Sequence, residues 1–314
     1  MAAIGKDIKH AKAILESGNL VGIPTETVYG LAANAFDNEA VAKIFEVKNR
    51  PYFDPLILHT DSIDKLKSFV EYIPPELDLL LRTFSPGPLT VLLPKNNKVS
   101  DLCTAGLLRV AVRIPKHPLT LALLMSLDFP LAAPSANPFG YISPTSAIHV
   151  DKQLGNKIDY ILDGGECRIG LESSILGLEG DTLTVYRKGG LSIEAIENVV
   201  GKVKLQEHSS SNPSAPGMLQ SHYAPNKKVV FWNGEKFNKS IGFLSFSEEK
   251  EGMEANNQFV LSTKKDLNEA AQNLFKGLRY LDERVIETIF IELVPDVGLG
   301  RAINDRLRRA AASD

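Results

Sequence analysis

The residues of this chain whose types could do chemistry together are five cations, Lys48, Arg50, Arg109, Arg113 and Arg187, interleaved with Thr27, Ser135, Asn137, Ser143 and Ser173. Guanidinium and ammonium groups bind carboxylates and phosphates through charge-assisted hydrogen bonds, and a guanidinium can form two in parallel. Hydroxyl and amide donors then orient what the cations attract. With a net charge of -3 and an isoelectric point near 6.1, the chain lacks the basic excess of a nucleic-acid coat. Cations gathered at a few places in a mildly acidic chain point instead to a phosphate pocket. Nucleophile-elbow, phosphate-loop and spaced metal-ligand patterns do not occur, so hydrolase and P-loop readings have no support in the sequence. Cys103 and Cys167 lack the paired spacing of a zinc site. They read as buried, inert thiols in a reduced cytoplasmic setting.

The elements that must position these groups begin with residues 24–50. An apolar strand at 20–23 runs into the polar turn Thr25, Glu26, Thr27, followed by Tyr29 and Gly30. Hydroxyls in such a turn either satisfy backbone groups or hold a small ligand. Asp37 or Asn38 can cap the next helix, whose Ala40, Val41, Ile44, Phe45 and Val47 face inward. Its end delivers Lys48 and Arg50, a cation pair suited to a polyanion such as a nucleotide triphosphate. Strand, polar turn and helix in this order is how an open α/β sheet builds a site at its strand ends. A second buried strand at 55–59 ends on His59, where a lone histidine is more often a structural hydrogen-bonder than a catalyst. Residues 109–114 alternate so that Arg109 and Arg113 project to the polar side of a half-buried strand. Residues 130–133 lead into Pro134, Ser135, Ala136 and Asn137, small enough to let backbone approach a ligand. Ser143, Pro144 and Thr145 are expected to cap a helix at 146–154, with strands following at 160–163, 173–178 and 182–187.

A chain of 314 residues with 44% hydrophobic and 23% charged residues fits two ordinary globular domains. No apolar run approaches the roughly 18 residues of a membrane span, so a soluble protein with no membrane partner is expected. The Ser- and Pro-rich HSSSNPSAPG reads as a linker. Beyond it, strands at 228–232, 241–246, 259–261 and 288–292 alternate with a helix at 267–281, implying a second open sheet with parallel strands. A basic helix at 301–311 ends the unit, and Trp232 reads as core.

Taken together, PTETVYGL, KNRP, PLTVLLP, VAVRIPKHP, APSAN, GLESSIL and VYRKG resemble the YrdC-type domain of the threonylcarbamoyl-AMP synthase family. APGMLQSHYAP and GLGRAINDRLRRAA resemble the longer, two-domain members. The resemblance implies an open twisted YrdC-like α/β domain (1–205), a linker over the active site (206–226) and a smaller Rossmann-like α/β domain (227–314). It implies an L-threonylcarbamoyladenylate synthase, a nucleotidyltransferase using L-threonine, bicarbonate or CO2, and ATP with Mg²⁺, and needing no tightly bound organic cofactor. Its product would feed the tRNA threonylcarbamoyl transferase machinery that modifies adenosine beside the anticodon.

Residue by residue, the resemblance places Lys48, Arg50, Ser135 and Asn137 at catalytic positions facing the nucleotide phosphates. Thr27, His59, Arg113, Ala133 and Ser173 fall at threonine positions. Arg50, Asp54, Arg109, Ser135, Ser143, Arg187 and Tyr223 fall at ATP positions. An acid at Asp54 is compatible with phosphate only if it reaches Mg²⁺ or a neighbouring arginine. Two other readings use the same residues: a non-catalytic RNA-binding or ribosome-assembly protein with a concave basic face, and carbamoyl transfer to another acceptor. Weak RNA binding by the enzyme itself also stays open.

Overall fold

Short polar side chains set most helix starts. Asp7, Asp37, Ser62, Ser100, Ser146, Ser192 and Asp266 each accept a hydrogen bond from a backbone N–H of the turn that follows. In the computed structural model, which describes residues 1–206, 215–216 and 222–312, the helices before the linker are α1 (Ile8–Glu16), α2 (Asn38–Lys48), α3 (Ile63–Lys67), α4 (Pro75–Phe84), α5 (Asp101–Thr104), α6 (Pro118–Ser126), α7 (Ala147–Leu154) and α8 (Ile193–Val200). After it come α9 (Leu267–Asp282) and α10 (Gly300–Ala310). Helices α4 and α6 start on proline, whose missing N–H is one a first turn cannot use. Ser146 itself caps α7; the expected cap at Ser143 is not formed, because the Ser143 hydroxyl is turned toward Glu172.

Strands β1 (Ala3–Gly5), β2 (Val21–Ile23), β3 (Gly30–Asn34), β4 (Ile57–His59), β5 (Leu89–Pro94), β6 (Arg109–Arg113), β7 (Leu131–Ala132), β8 (Tyr160–Leu162), β9 (Ser174–Glu179), β10 (Thr182–Arg187) and β11 (Lys204–Leu205) form one mixed sheet. Their order is β1-β8-β2-β3-β7-β4-β6-β5-β9-β10-β11. The second unit carries β12 (Lys228–Phe231), β13 (Ile241–Ser245), β14 (Gln258–Val260) and β15 (Thr288–Ile291), all pairs parallel, in the order β12-β15-β13-β14. The alternation of strand and helix signals thus gave the parallel second sheet correctly. Strand β3 had no counterpart in the sequence reading. Its GLAAN is poor in β-branched residues, and it is a strand because β2 and β7 flank it.

The two faces of the large sheet are used differently. Leu58, Val91, Val110, Val112, Leu176 and Val185 join helix residues such as Ile44, Leu80 and Ile196 in the main core. The alternate residues Ile57, Leu92, Ala111 and Ile175 form a small apolar cluster on the other face, with Tyr186 and the linker's Ala215. Because side chains alternate along a strand, His59 shares the face of Ile57, and Arg109 and Arg113 share that of Ala111. Strand β6 lies inside the sheet and its residues beyond Arg109 are buried, where a half-buried strand was expected. Its arginine face borders an internal cavity. A bulge in β10 breaks the alternation: Val185 pairs with Leu176 and Arg187 with Ile175, leaving Tyr186 extra. Tyr186 and Arg187 therefore both reach the cavity face, where strict alternation would have sent Arg187 into the core.

The second unit rests on the first through Val28, Ile142 and Leu171, which join its core around Leu274, Phe275 and Ile303. Tyr141 donates a 2.6 Å hydrogen bond to Asp282, and Arg279 donates to the carbonyl of Ile142 at 3.0 Å. Among the described residues no helix is long and apolar enough to cross a membrane. Gly189 lies directly over the strand start that carries the cavity side chains. A Cβ there would overlap the Glu172 carbonyl and the Ser173 and Ser174 backbone. Gly189→Ala is expected to destabilise the fold by about 1–3 kcal/mol, read as a lower midpoint in chemical denaturation, whereas a wild-type midpoint would show that this contact yields without cost.

Candidate active site

Arg113 is the residue around which the cavity is built. At 4% exposure it is nearly desolvated. Its Nε donates to the Gly87 carbonyl at 3.2 Å, Nη1 to the Thr27 hydroxyl at 2.8 Å and Nη2 to the Glu26 carboxylate at 2.7 Å. N–H groups on Nη1 and Nη2 remain for a further acceptor. Glu26 is held in turn by the backbone N–H of Lys116 at 2.9 Å. The Thr25 hydroxyl contacts the Thr27 hydroxyl at 2.7 Å and accepts from the N–H of Thr27 and Val28. Of the two roles considered for this turn, Thr25 takes the backbone one, whereas Thr27 fixes an arginine and does not line the cavity.

His59 stands beside Arg113 in the ladder between β4 and β6. Burial, reinforced by the Arg113 charge, pushes its imidazole down to about 3 despite the backbone carbonyl of Ile57 nearby. A neutral imidazole at physiological pH can orient a ligand but is a weak base for proton abstraction.

Across the cavity, Arg187 holds the start of β9. Its Nε donates to the Ser173 carbonyl and its Nη2 to the Ser173 hydroxyl, both at 3.0 Å. Ser173 also contacts the Thr90 hydroxyl at 2.7 Å. Burial lowers the Arg187 guanidinium to about 10, which leaves it charged near neutrality. Arg50 approaches from the end of α2. Asn49 closes that helix in the left-handed conformation, and Arg50 then donates to the carbonyls of Asp54 at 3.0 Å and Pro55 at 2.7 Å. Its guanidinium pairs with the fully buried Asp54 carboxylate at 2.9 Å.

These groups surround one cavity. Of the residues expected in a site, Arg50, His59, Arg113, Ala133, Ser135, Ser173, Arg187 and Tyr223 line it. The strand residues that line it, Gly30, Ile57, His59, Arg113 and Arg187, are each the first or last of their strand, so the cavity lies at strand ends as expected, although the strands run in both directions.

The remaining expected residues stand behind the wall. Asp54 sits behind Arg50, so the acid reaches an arginine as phosphate compatibility requires. Ser143 donates to Glu172 at 2.6 Å. Arg109 donates to the Leu178 carbonyl and the Tyr186 hydroxyl, four residues along β6 from Arg113. Lys48 donates to the Ser135 carbonyl at 2.6 Å and to the Asn137 carbonyl, and Asn137 donates to the carbonyls of Pro138 and Tyr141. Burial next to Arg50 holds the Lys48 amine well below its usual range. In this state Lys48 fixes the turn that presents Ser135 instead of facing the cavity. Lys48, Arg50, Arg113 and Arg187 are also buried, so they do not form the exposed basic face that the RNA-binding reading needs.

Of the expected linker, Gln206, Ala215, Pro216 and residues 222–226 are described; the others lie outside the described residues. Pro216, His222 and Tyr223 line the cavity, and Arg187 donates to the Pro216 carbonyl at 3.4 Å. Tyr223 has φ of 67°, the left-handed region that a bulky residue adopts only where its surroundings enforce it. Arg306 and Arg309 of α10 lie 4.9 and 4.7 Å from its ring centre. The sequence reading left Glu172, His222 and Arg306 without a site role. GLESSIL and GLGRAINDRLRRAA contain the first and last, but nothing local reveals that they meet.

His59 also makes folding sensitive to acid. Its folded value lies below the unfolded value of about 6.5, so the unfolded chain binds the extra proton as pH falls. The resulting loss of stability begins near pH 6.5 and deepens towards the folded value. At pH 5 this one group is expected to cost about 2 kcal/mol. Denaturation midpoints at about pH 7 and about pH 5 should diverge less in His59→Gln than in the parent; equal divergence would remove His59 from the account.

Two family models divide the chain. One for the Sua5, YciO and YrdC proteins, described as "Telomere recombination", matches residues 13–189, and one described as the C-terminal domain of threonylcarbamoyl-AMP synthase matches residues 191–312. A threonylcarbamoyl-AMP synthase of Pyrococcus abyssi is 41% identical, with 97% of this chain and 94% of that protein covered. One from Bacillus subtilis is 39% identical, with 97% and 92% covered. The crystal structure of P. abyssi Sua5 complexed with L-threonine superposes with a TM-score of 0.92 at 38% identity, covering 99% of this chain and 97% of that one.

Proposed function

Since the chain belongs to the threonylcarbamoyl-AMP synthase family, we propose that it joins L-threonine, CO2 derived from bicarbonate, and ATP into threonylcarbamoyl-AMP and pyrophosphate, acting as a nucleotidyltransferase. The observation that carries this reading is the division of one cavity wall between Arg113, seated among Glu26, Thr27 and Gly87, and the pair Arg50 and Arg187. One separated guanidinium suits a single carboxylate, and two others suit a polyphosphate.

In the proposed order of events, Arg113 binds the threonine carboxylate through its remaining N–H groups, with His59 and Ser173 orienting the rest of the amino acid. The neutral amine attacks CO2 and loses a proton, giving a carbamate. A carbamate oxygen then attacks the α-phosphorus of ATP in line, and the bond to the bridging oxygen breaks to release pyrophosphate. Arg50 and Arg187 stabilise the charge that develops on the phosphates. Holding the reactants in register can supply roughly 7–11 kcal/mol of the barrier, so positioning outweighs any dedicated base. Tyr223 and Ser135 would complete the nucleotide side, with the linker closing over the ligands.

Among the described residues no cluster of three or more His, Cys, Asp or Glu side chains could hold a metal. The carboxylate on the wall, Glu172, is already paired with Arg306. These residues do not fit a resident Mg²⁺, so the ion belongs to the substrate as MgATP, held by the phosphates. The product would pass to a transferase acting on tRNA. Free, buried Cys103 and Cys167 support a reducing, cytoplasmic setting.

Pyrophosphate release is expected only when L-threonine and bicarbonate are both supplied with ATP. Equal ATP consumption without threonine would refute the amino-acid assignment. Arg50→Ala should lower turnover at least about 100-fold, and undiminished turnover would remove Arg50 from the phosphate role.

A further inference from the structure

Glu172 is the one acidic side chain among the described residues that line the cavity. It immediately precedes Ser173, the residue that Arg187 grips with two hydrogen bonds. In the proposed synthase reaction, on which this inference rests, that wall must accept a polyphosphate. A buried carboxylate left without a counter-charge there would repel the phosphates and would compete with them for Arg187.

The counter-charge comes from the second unit. Arg306 of α10 is fully buried, and its Nε and Nη2 each lie 3.0 Å from Glu172 Oε2. Its Nη1 donates to the Lys188 carbonyl at 2.9 Å and to Asp305 at 2.6 Å. The other Glu172 oxygen accepts from Ser143 at 2.6 Å. Arg306 and Arg309 also flank Tyr223, and the backbone N–H of His222 donates to the Arg309 carbonyl at 3.5 Å. That last contact joins linker backbone to the end of α10, so the same helix holds both the carboxylate and the linker.

We propose that Arg306 is a positioning residue for the nucleotide: by neutralising Glu172 from the second unit, it keeps Arg187 available to phosphate and fixes Tyr223 over the cavity. The second unit thereby takes part in ATP binding without touching the reacting atoms. Charge compensation distinguishes this role from simple scaffolding. If Arg306 acts by cancelling Glu172, then removing both charges together should restore what removing one destroys.

The test is equilibrium binding of MgATP to the full chain, measured calorimetrically beside steady-state kinetics. Arg306→Gln is expected to weaken ATP binding at least about tenfold and to raise the KM for ATP more than it lowers kcat. Arg306→Gln with Glu172→Gln should recover at least half of that loss on a logarithmic scale. Wild-type affinity in the single variant would overturn the proposal, as would a double variant no tighter than the single one or one that recovers only its melting temperature. Should Arg306→Gln fail to fold, Arg306→Lys replaces it, with a smaller loss expected and the same recovery required. Failure of the synthase reading would look different, because the parent protein would then bind MgATP without threonine-dependent pyrophosphate release.

Discussion

A guanidinium taken out of water must find acceptors in the protein, and this requirement organises the large sheet. Arg50, Arg113, Arg187 and Arg306 are each at most 8% exposed, and each is tied to acceptors before any ligand arrives. Asp54 serves Arg50, Glu26 serves Arg113, the Ser173 carbonyl and hydroxyl serve Arg187, and Glu172 serves Arg306. Without those partners the desolvation cost would be several kcal/mol per ion. With them, the cations stand in fixed places around the cavity.

The same requirement explains residues that carry no charge to the cavity in this state. Lys48 has carbonyl acceptors and a neighbouring Arg50, and its burial next to that cation favours the neutral amine. It acts on the Ser135 turn through backbone, as Ser143 acts on Glu172 through its hydroxyl. A mutation at any of these positions would be felt at the wall because the wall is held from behind. The bulge at Tyr186 belongs to the same logic, since it gives Arg187 the face on which its Ser173 partners lie.

The second unit is more than an appended sheet. Its helix α10 places Arg306 against Glu172 and Tyr223 and Arg309 against Tyr223, with Asp305 paired to both arginines, and α9 anchors the loop from Tyr141 to Ser143 through Arg279 and Asp282. Burial of Val28, Ile142 and Leu171 against that unit aligns these contacts. Domain contact and cavity wall are thus one continuous structure.

Several features were legible in the sequence because they depend on neighbours a few residues away. The helix cap at Asp37, the strand around Arg113, the parallel second sheet and the joint pattern from PTETVYGL to VYRKG all follow from local propensity, periodicity and motif order. What the sequence could not supply was pairing at long range. Glu172 and Arg306 are separated by 134 positions, and Glu26 and Arg113 by 87. Whether Arg187 faces the cavity or the core rests on a bulge that shifts one strand by one residue, and β3 exists only because β2 and β7 flank it. Residue types set which chemistry was available. The tertiary structure alone decided which cations face the cavity and which stand behind it, because a buried charge is placed by the partners that make its burial tolerable.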